Sequence, residues 1–370
     1  MGAPGLLARR NLLQERSRLA LTVAGVSLSV MLIVLMNGFL AGFDRQTSVY
    51  LDSQPGSVVV AQAGIDNFGP ATSRLSRAAV ERLRNTTGVA RAVAIDSQIA
   101  ILDLRGQREA AYLVGYDPGM GGGPQRLAQG RAPGRDDEAA IDAVFAARHN
   151  LDLGSTLDLL GDRVRVVGIS AGTWGFMGGY VFVTRSLLGT RLRLGQGASF
   201  VLVTPGPGTD QAALIRRLSA APGVHALSKA EFAANDRQIW LPPFQLIIRL
   251  MVLIASVVGA LVVGLVVYTA TLERRREYAV LKAVGGRNPV LYRTVVLQAL
   301  VAALAGVVLG GVLAGGAGWL ITAARPEFQI VLQPADLLAA LVAGLVMAAL
   351  GALLPARALA RVAPAEAMRS

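Results

Sequence analysis

The side chains that most often carry chemistry are scarce in this chain. His149 and His225 stand apart, with no HExxH or HxxxH spacing, and cysteine is absent. Thiolate or imidazole-rich metal sites, iron–sulfur ligation, disulfides and a cysteine nucleophile therefore have no donors. Lysine occurs only as Lys229, in LSKAE, and Lys282, in VLKAV, and neither follows a glycine. The GxxxxGK[ST] loop that cradles nucleotide phosphates is thus missing, and an ATP-driven process needs its ATPase on another chain. Ser228 and Lys229 are adjacent, and helix neighbours diverge by about 100°, which excludes a Ser/Lys dyad. What remains is chemistry of docking and packing.

Three segments stand out on that basis. TLERRREYAVLKAVGGRNPVLYRTVVLQAL, residues 271–300, reads as a charged helix end and then a short helix presenting Tyr278, Val280, Leu281 and Val284, stopped by Gly285 and Gly286. Apolar residues amid charge suit docking of a soluble partner; the alternative is a basic topogenic loop whose apolar face is buried. GTWGFMGGY, residues 172–180, sets Trp174, Phe176, Met177 and Tyr180 among glycines. Such a loop either grips an apolar ligand or partner, or packs its aromatics on its own domain. Finally, Gly306, Gly310, Gly311 and Gly315 form the small-xxx-small pairs 306/310 and 311/315, which let another helix approach closely in lipid.

The elements that must position these segments follow from hydropathy. Of 370 residues, 53% are hydrophobic and 16% charged, and the mean hydropathy is +0.50, too apolar for an ordinary soluble protein. Charge-free stretches at Leu19–Phe43, Leu250–Leu272, Thr294–Ala324 and Leu337–Ala356 are each long enough to cross about 30 Å of hydrocarbon at about 1.5 Å per residue. Four spans are assigned: 19–43, 246–272, 294–322 and 337–355. The first, at 25 residues, outruns the roughly 7–15-residue core of a signal peptide and reads as an uncleaved anchor. None of the charge-free stretches contains Asp, Glu, Lys, Arg or His, which disfavours proton- or ion-coupled transport.

The net charge of +12 is dispersed rather than gathered into a nucleic-acid face. Residues 1–18 hold four Arg against one Glu, residues 273–293 six basic against two acidic, and residues 355–370 three basic against one acidic, while 44–243 hold 21 basic and 18 acidic. A basic excess on short flanks marks the cytoplasmic side. Both termini and the 273–293 loop are accordingly expected inside, 44–243 and the 323–336 loop outside.

Between the first two spans the pattern mixes periods. Ser57–Gly64 alternates as a strand, Leu75–Arg84 is helical behind a Ser cap, and AVAIDSQIAILDL and EAAYLVGYD read as strands ending at PGMGGGP, residues 118–124, a hinge or loop. Beyond it come strand, short helix and hairpin in residues 139–169, strands in GYVFVT and SFVLVT, a helix in DQAALIRRLSA and a strand in GVHAL. Glu231–Arg249 leads back to the membrane, with Pro242-Pro243 expected to break it and Trp240 suited to the headgroup level. The two connections are either a rigid stalk or a simple tether. The fold class is a membrane α-helical protein of four transmembrane helices, with an inserted α+β extracytoplasmic domain, 44–243, between helices 1 and 2.

At the cytoplasmic pieces the chain resembles the FtsX/MacB-type (type VII) permeases of ABC transporters. Glu273, Arg274, Arg276, Glu277, Leu281, Lys282, Ala283 and Gly285 match that family's ERxREIGxLRAxGA loop, with Tyr278-Ala279 for the usual Ile-Gly. Pro355, Ala356, Ala360, Pro364, Glu366, Ala367 and Arg369 match its terminal PAxxAAxxxPxEALR. The resemblance implies a bacterial inner-membrane permease, paired with a second copy or a related permease, bound to two ATPase subunits that hold the ATP and Mg. It makes Glu273, Arg276, Glu277, Tyr278, Leu281, Lys282, Gly285 and Gly286 the ATPase-coupling element, 1–18 an amphipathic interfacial helix and 356–370 a cytoplasmic tail. Its implied action is mechanotransmission, exporting or extracting an amphipathic substrate; the alternatives are a signalling permease that activates cell-wall hydrolases and a lipoprotein-releasing permease. An extracytoplasmic adaptor or hydrolase and membrane lipid are the further partners; nucleic acid is not.

Overall fold

The structure is a computed structural model that describes residues 16–69, 72–104, 106–191, 193, 196–273 and 288–360. The chain divides into two compact units, residues 43–242 and the remainder. In chain order, α1 (Arg16–Thr47) and α2 (Val49–Ser53) precede β1 (Val58–Gln62), α3 (Arg77–Arg84), β2 (Val89–Leu104), β3 (Gln107–Tyr116), β4 (Leu127–Gly130) and β5 (Glu138–Asp142). Then come α4 (Ala143–Arg148), β6 (Thr156–Leu159), β7 (Asp162–Ser170), β8 (Tyr180–Thr184), α5 (Arg185–Arg191), β9 (Phe200–Pro205), α6 (Gln211–Ser219) and β10 (Val224–Ser228). The long helices α7 (Lys229–Glu273), α8 (Asn288–Ala324) and α9 (Pro334–Ala360) close the chain.

Among the described residues the inserted unit is built on one ten-stranded sheet, ordered β10-β1-β9-β2-β3-β8-β5-β7-β4, with β6 paired to β7. The β3/β8 and β5/β7 pairs are parallel and the others antiparallel. Alternation along β1 assigns the layers. Val58 and Val60 face α3 and α6 through Leu83, Leu214 and Leu218, whereas Val59 and Ala61 face Tyr50 of α2 and Phe232 of α7. The expected Ser cap is present: Ser76 Oγ accepts from Ala79 N, so α3 starts where the sequence places it. Residues 118–124 form a loop that joins β3 to β4, two strands of the same sheet. Gly122 and Gly123 are buried, and their carbonyls accept from the Tyr50 hydroxyl at 2.8 Å and Gln54 Nε2 at 3.1 Å.

Among the described residues four helices are long and apolar enough to cross a bilayer. They touch in a closed ring: Gly25 of α1 lies under Val262 of α7, Gly306 of α8 under Val26 of α1, Gly344 of α9 under Val307 of α8, and Gly351 of α9 against Gly264 of α7. Without a hydrophobic drive in lipid, such close backbone approaches supply the van der Waals contact that holds helices together. Val26, Val30, Ile33, Val34, Val263, Ala314, Ala340 and Met347 form the shared core.

The proline pair does not break the returning helix: α7 is helical from Lys229 to Glu273. A helical proline leaves the carbonyl four residues earlier without its N–H. Here those carbonyls belong to Gln238 and Ile239, and these residues and both prolines are exposed, so the unpaired oxygens can bond water or headgroups.

Candidate functional site

Of the coupling residues, only Glu273 falls within the described part of the chain, at the end of α7. Arg276, Glu277, Tyr278, Leu281, Lys282, Gly285 and Gly286 lie outside the described residues, as do the 1–15 segment and the 361–370 tail.

The two glycine pairs of α8 separate. A Cβ built on Gly310 would stand 2.6 Å from the Ser27 carbonyl oxygen and 2.8 Å from Val30 Cβ, and one on Gly306 would stand 2.6 Å from Val26 Cβ. This pair is a packing notch for α1. A Cβ on Gly311 would make only an ordinary contact, 3.9 Å from Leu337 of α9, and one on Gly315 would meet nothing within 4 Å among the described residues, so the 311/315 pair is not a close-packing notch there. Spacing alone cannot tell the pairs apart, because positions 310 and 311 point about 100° away from one another around the helix. The glycines that spacing did not single out, Gly25, Gly259, Gly344 and Gly351, all pack at helix contacts. Between α7 and α9 runs an apolar furrow of about 1290 Å³, lined by residues such as Leu253, Leu261, Leu338, Val342 and Leu350, with Ser256 and Tyr268 among its polar groups.

In the inserted unit, the four residues of the aromatic loop do not form one gripping surface. Trp174 and Tyr180 are buried; Tyr180 stacks between Tyr112 and Tyr50, with ring centroids 4.7 and 5.3 Å away. Phe176 and Met177 form the tip. Phe176 meets Phe43 edge-on at 4.9 Å and Trp240 at 5.2 Å, and Met177 is 40% exposed. The loop is anchored from below by Asp142, a buried carboxylate that caps α4 through Val144 N and Phe145 N and accepts from Thr173 Oγ1 at 2.8 Å. Burial pushes the Asp142 carboxyl above its ordinary range, against the hydrogen bond from Thr173.

The base of this unit holds residues that sequence patterns passed over. Ser228 and Glu231 form a reciprocal capping box, with Glu231 N donating to Ser228 Oγ at 3.1 Å and Ser228 N to Glu231 Oε2 at 3.0 Å. That box starts α7 directly at the end of β10, and its signal, S-x-x-E, is legible in SKAE. Lys229 turns elsewhere, donating from Nζ to the Gln54 carbonyl at 2.9 Å. Asp236, seven residues along α7 and ten before the span that begins at 246, is buried and accepts from Phe68 N and Gly69 N at 3.0 and 2.9 Å. Burial raises its carboxyl to about 6, while those two backbone donors pull it down. Arg237 pairs with Asp44 at 2.7 Å, bridging α7 and the end of α1 within the same unit. His149 is buried, its ring 5.0 Å from Phe145 and its Nε2 3.5 Å from Glu109, a structural setting that lowers its pKa chiefly through burial.

Four membrane-crossing helices with a large sheet domain inserted after the first define a multi-pass membrane protein built around an ectodomain. Residues 19–221 match the MacB-like periplasmic core domain and residues 249–364 the FtsX-like permease C-terminal domain. The chain belongs to the FtsX/MacB-type ABC transporter permeases. An uncharacterized ABC transporter permease of Mycobacterium tuberculosis is 28% identical over 310 residues, covering 83% of this chain and 84% of its own length. The macrolide export ATP-binding/permease protein MacB of Sodalis glossinidius is 24% identical over 96% of this chain, which spans 59% of that longer protein. The periplasmic region of MacB from Actinobacillus actinomycetemcomitans covers 50% of this chain at 12% identity with a TM-score of 0.37, too low to transfer positions.

Proposed function

We propose that this permease couples ATP hydrolysis by a separate ATPase chain to movement of its ectodomain, exporting or extracting an amphipathic substrate by mechanotransmission. The carrying observation is α7, which is helical without a break through its 45 residues, from Lys229 at the end of the last strand to Glu273, the first residue of the coupling motif. A helix stiffened at its start by a capping box and by the Asp236 clamp suits the transfer of displacement along its axis. The charge-free stretches fit a substrate that need not cross between the helices, and the furrow between α7 and α9 offers apolar surface in the membrane. In this reading two ATPase subunits carry ATP and Mg, two permeases pair, and both termini are cytoplasmic, as the basic flanks favour.

The test is co-purification from native membranes. A nucleotide-hydrolysing partner should be recovered, the isolated chain should hydrolyse no ATP, and bound small molecules should be amphipathic by mass spectrometry. Glu277→Arg and Leu281→Arg should leave membrane insertion intact while abolishing substrate-stimulated ATP hydrolysis. Recovery without any ATPase, or full coupling in both variants, refutes the reading.

A further inference from the structure

The Phe176–Met177 tip is built too rigidly, and too apolar, for a surface left to water. Gly175 N donates to the Gly178 carbonyl at 2.9 Å and Tyr180 N to the Thr173 carbonyl at 3.1 Å, closing a hairpin stapled to Asp142 below. Gly178 lies against the backbone of Ala110, where a Cβ would stand 2.0 Å from the carbonyl oxygen. The hairpin therefore cannot fold back to hide its tip. No charge occurs from Ala171 to Tyr180, yet Met177 is 40% exposed and Ile239, beside Trp240, 44% exposed.

What covers this patch is indicated by its neighbours. Phe43, 4.9 Å from Phe176, is the last residue of the charge-free stretch that begins at Leu19, so it stands where a membrane-crossing segment leaves the hydrocarbon. Trp240, 5.2 Å away on the other side, is of the residue type that settles at headgroup depth. A ring held between those two shares their depth. We propose that the tip of the 172–179 hairpin dips into the headgroup–acyl boundary of the bilayer, with Phe176 and Met177 in contact with lipid. The surface is an interfacial anchor: amphipathic and aromatic side chains partition into that layer. The assignment holds for either orientation of the chain and does not depend on transport.

The absence of cysteine makes the test direct, since Met177→Cys gives one labelling position in the full-length chain. Ala212→Cys serves as the reference, on exposed α6 across the sheet from Tyr50 and Phe232. Each variant is labelled with a small environment-sensitive fluorophore and placed in phosphatidylcholine–phosphatidylglycerol nanodiscs. Shallow nitroxide-labelled lipid should quench the label at 177 several-fold more than at 212, and aqueous iodide should quench it several-fold less. Equal iodide quenching at both positions overturns the proposal. A label at 177 shielded from both quenchers also overturns it, because a protein surface then covers the tip.

Discussion

Alanine at Gly310 should destabilise this chain whereas alanine at Gly315 should not, although the two sites lie five residues apart on one apolar helix. At Gly310 a methyl group would stand 2.6 Å from the Ser27 oxygen and 2.8 Å from Val30 Cβ, where ordinary contact is 3.4 Å or more. The helices α1 and α8 must then separate by several tenths of an ångström. A gap of 0.5–1 Å forfeits about a quarter to a half of each dispersion well along the seam, and forced overpacking costs about 1–3 kcal/mol. Against this, alanine gains up to about 1 kcal/mol over glycine in a helix. The net expectation is a loss of about 1–2 kcal/mol for Gly310→Ala. Among the described residues a Cβ on Gly315 would meet nothing within 4 Å, so Gly315→Ala keeps the helical gain and should be neutral or stabilising. The assay is thermal unfolding of the full chain, dispersed as monomer in detergent so that contacts between copies do not enter. Equal shifts for the two variants, or a larger loss at 315, refute the assigned packing.

Buried carboxyls set a second expectation. Asp96 is pushed up to about 7 by burial, opposed by the nearby Arg185 and by the hydrogen bond from Ser199 N and reinforced by Asp117; Asp236 and Asp142 are raised by burial as well. A raised folded-state pKa favours the protonated fold, so stability is greatest at low pH and is lost as pH rises from about 4 through about 7, by roughly 1–4 kcal/mol for Asp96. Sheet melting should thus move upward on acidification from pH 8 to 5, and Asp96→Asn should flatten that slope; an unchanged slope sinks the assignment. Glu138, held down to about 2 by Arg131, acts oppositely and adds instability only below its ordinary range. Asp236→Ala leaves Phe68 N and Gly69 N without their acceptor and should cost about 1–3 kcal/mol, with faster hydrogen exchange at those two amides; protection equal to wild type would count against the clamp.

Hydropathy and charge alone determined the four spans, the inserted domain and the expected inside loops, because solvent preference is a sum over a local window and needs no partner. The Ser76 cap, the strands of the sheet other than β4 and the family motifs at 273–285 and 355–369 were legible for the same reason: each is read within a few consecutive residues. The tertiary structure decided the rest. Which glycine pair meets a helix depends on the rotation of α8 against α1, a long-range choice that spacing leaves open. The split of the aromatic loop, with Trp174 and Tyr180 inside and Phe176 and Met177 at the tip, follows from the Asp142 anchor and from strands 60 or more residues away. Likewise the clamp by Asp236 joins positions 168 residues apart. A local pattern can say that a side chain will be buried or exposed; only the packed chain says against what.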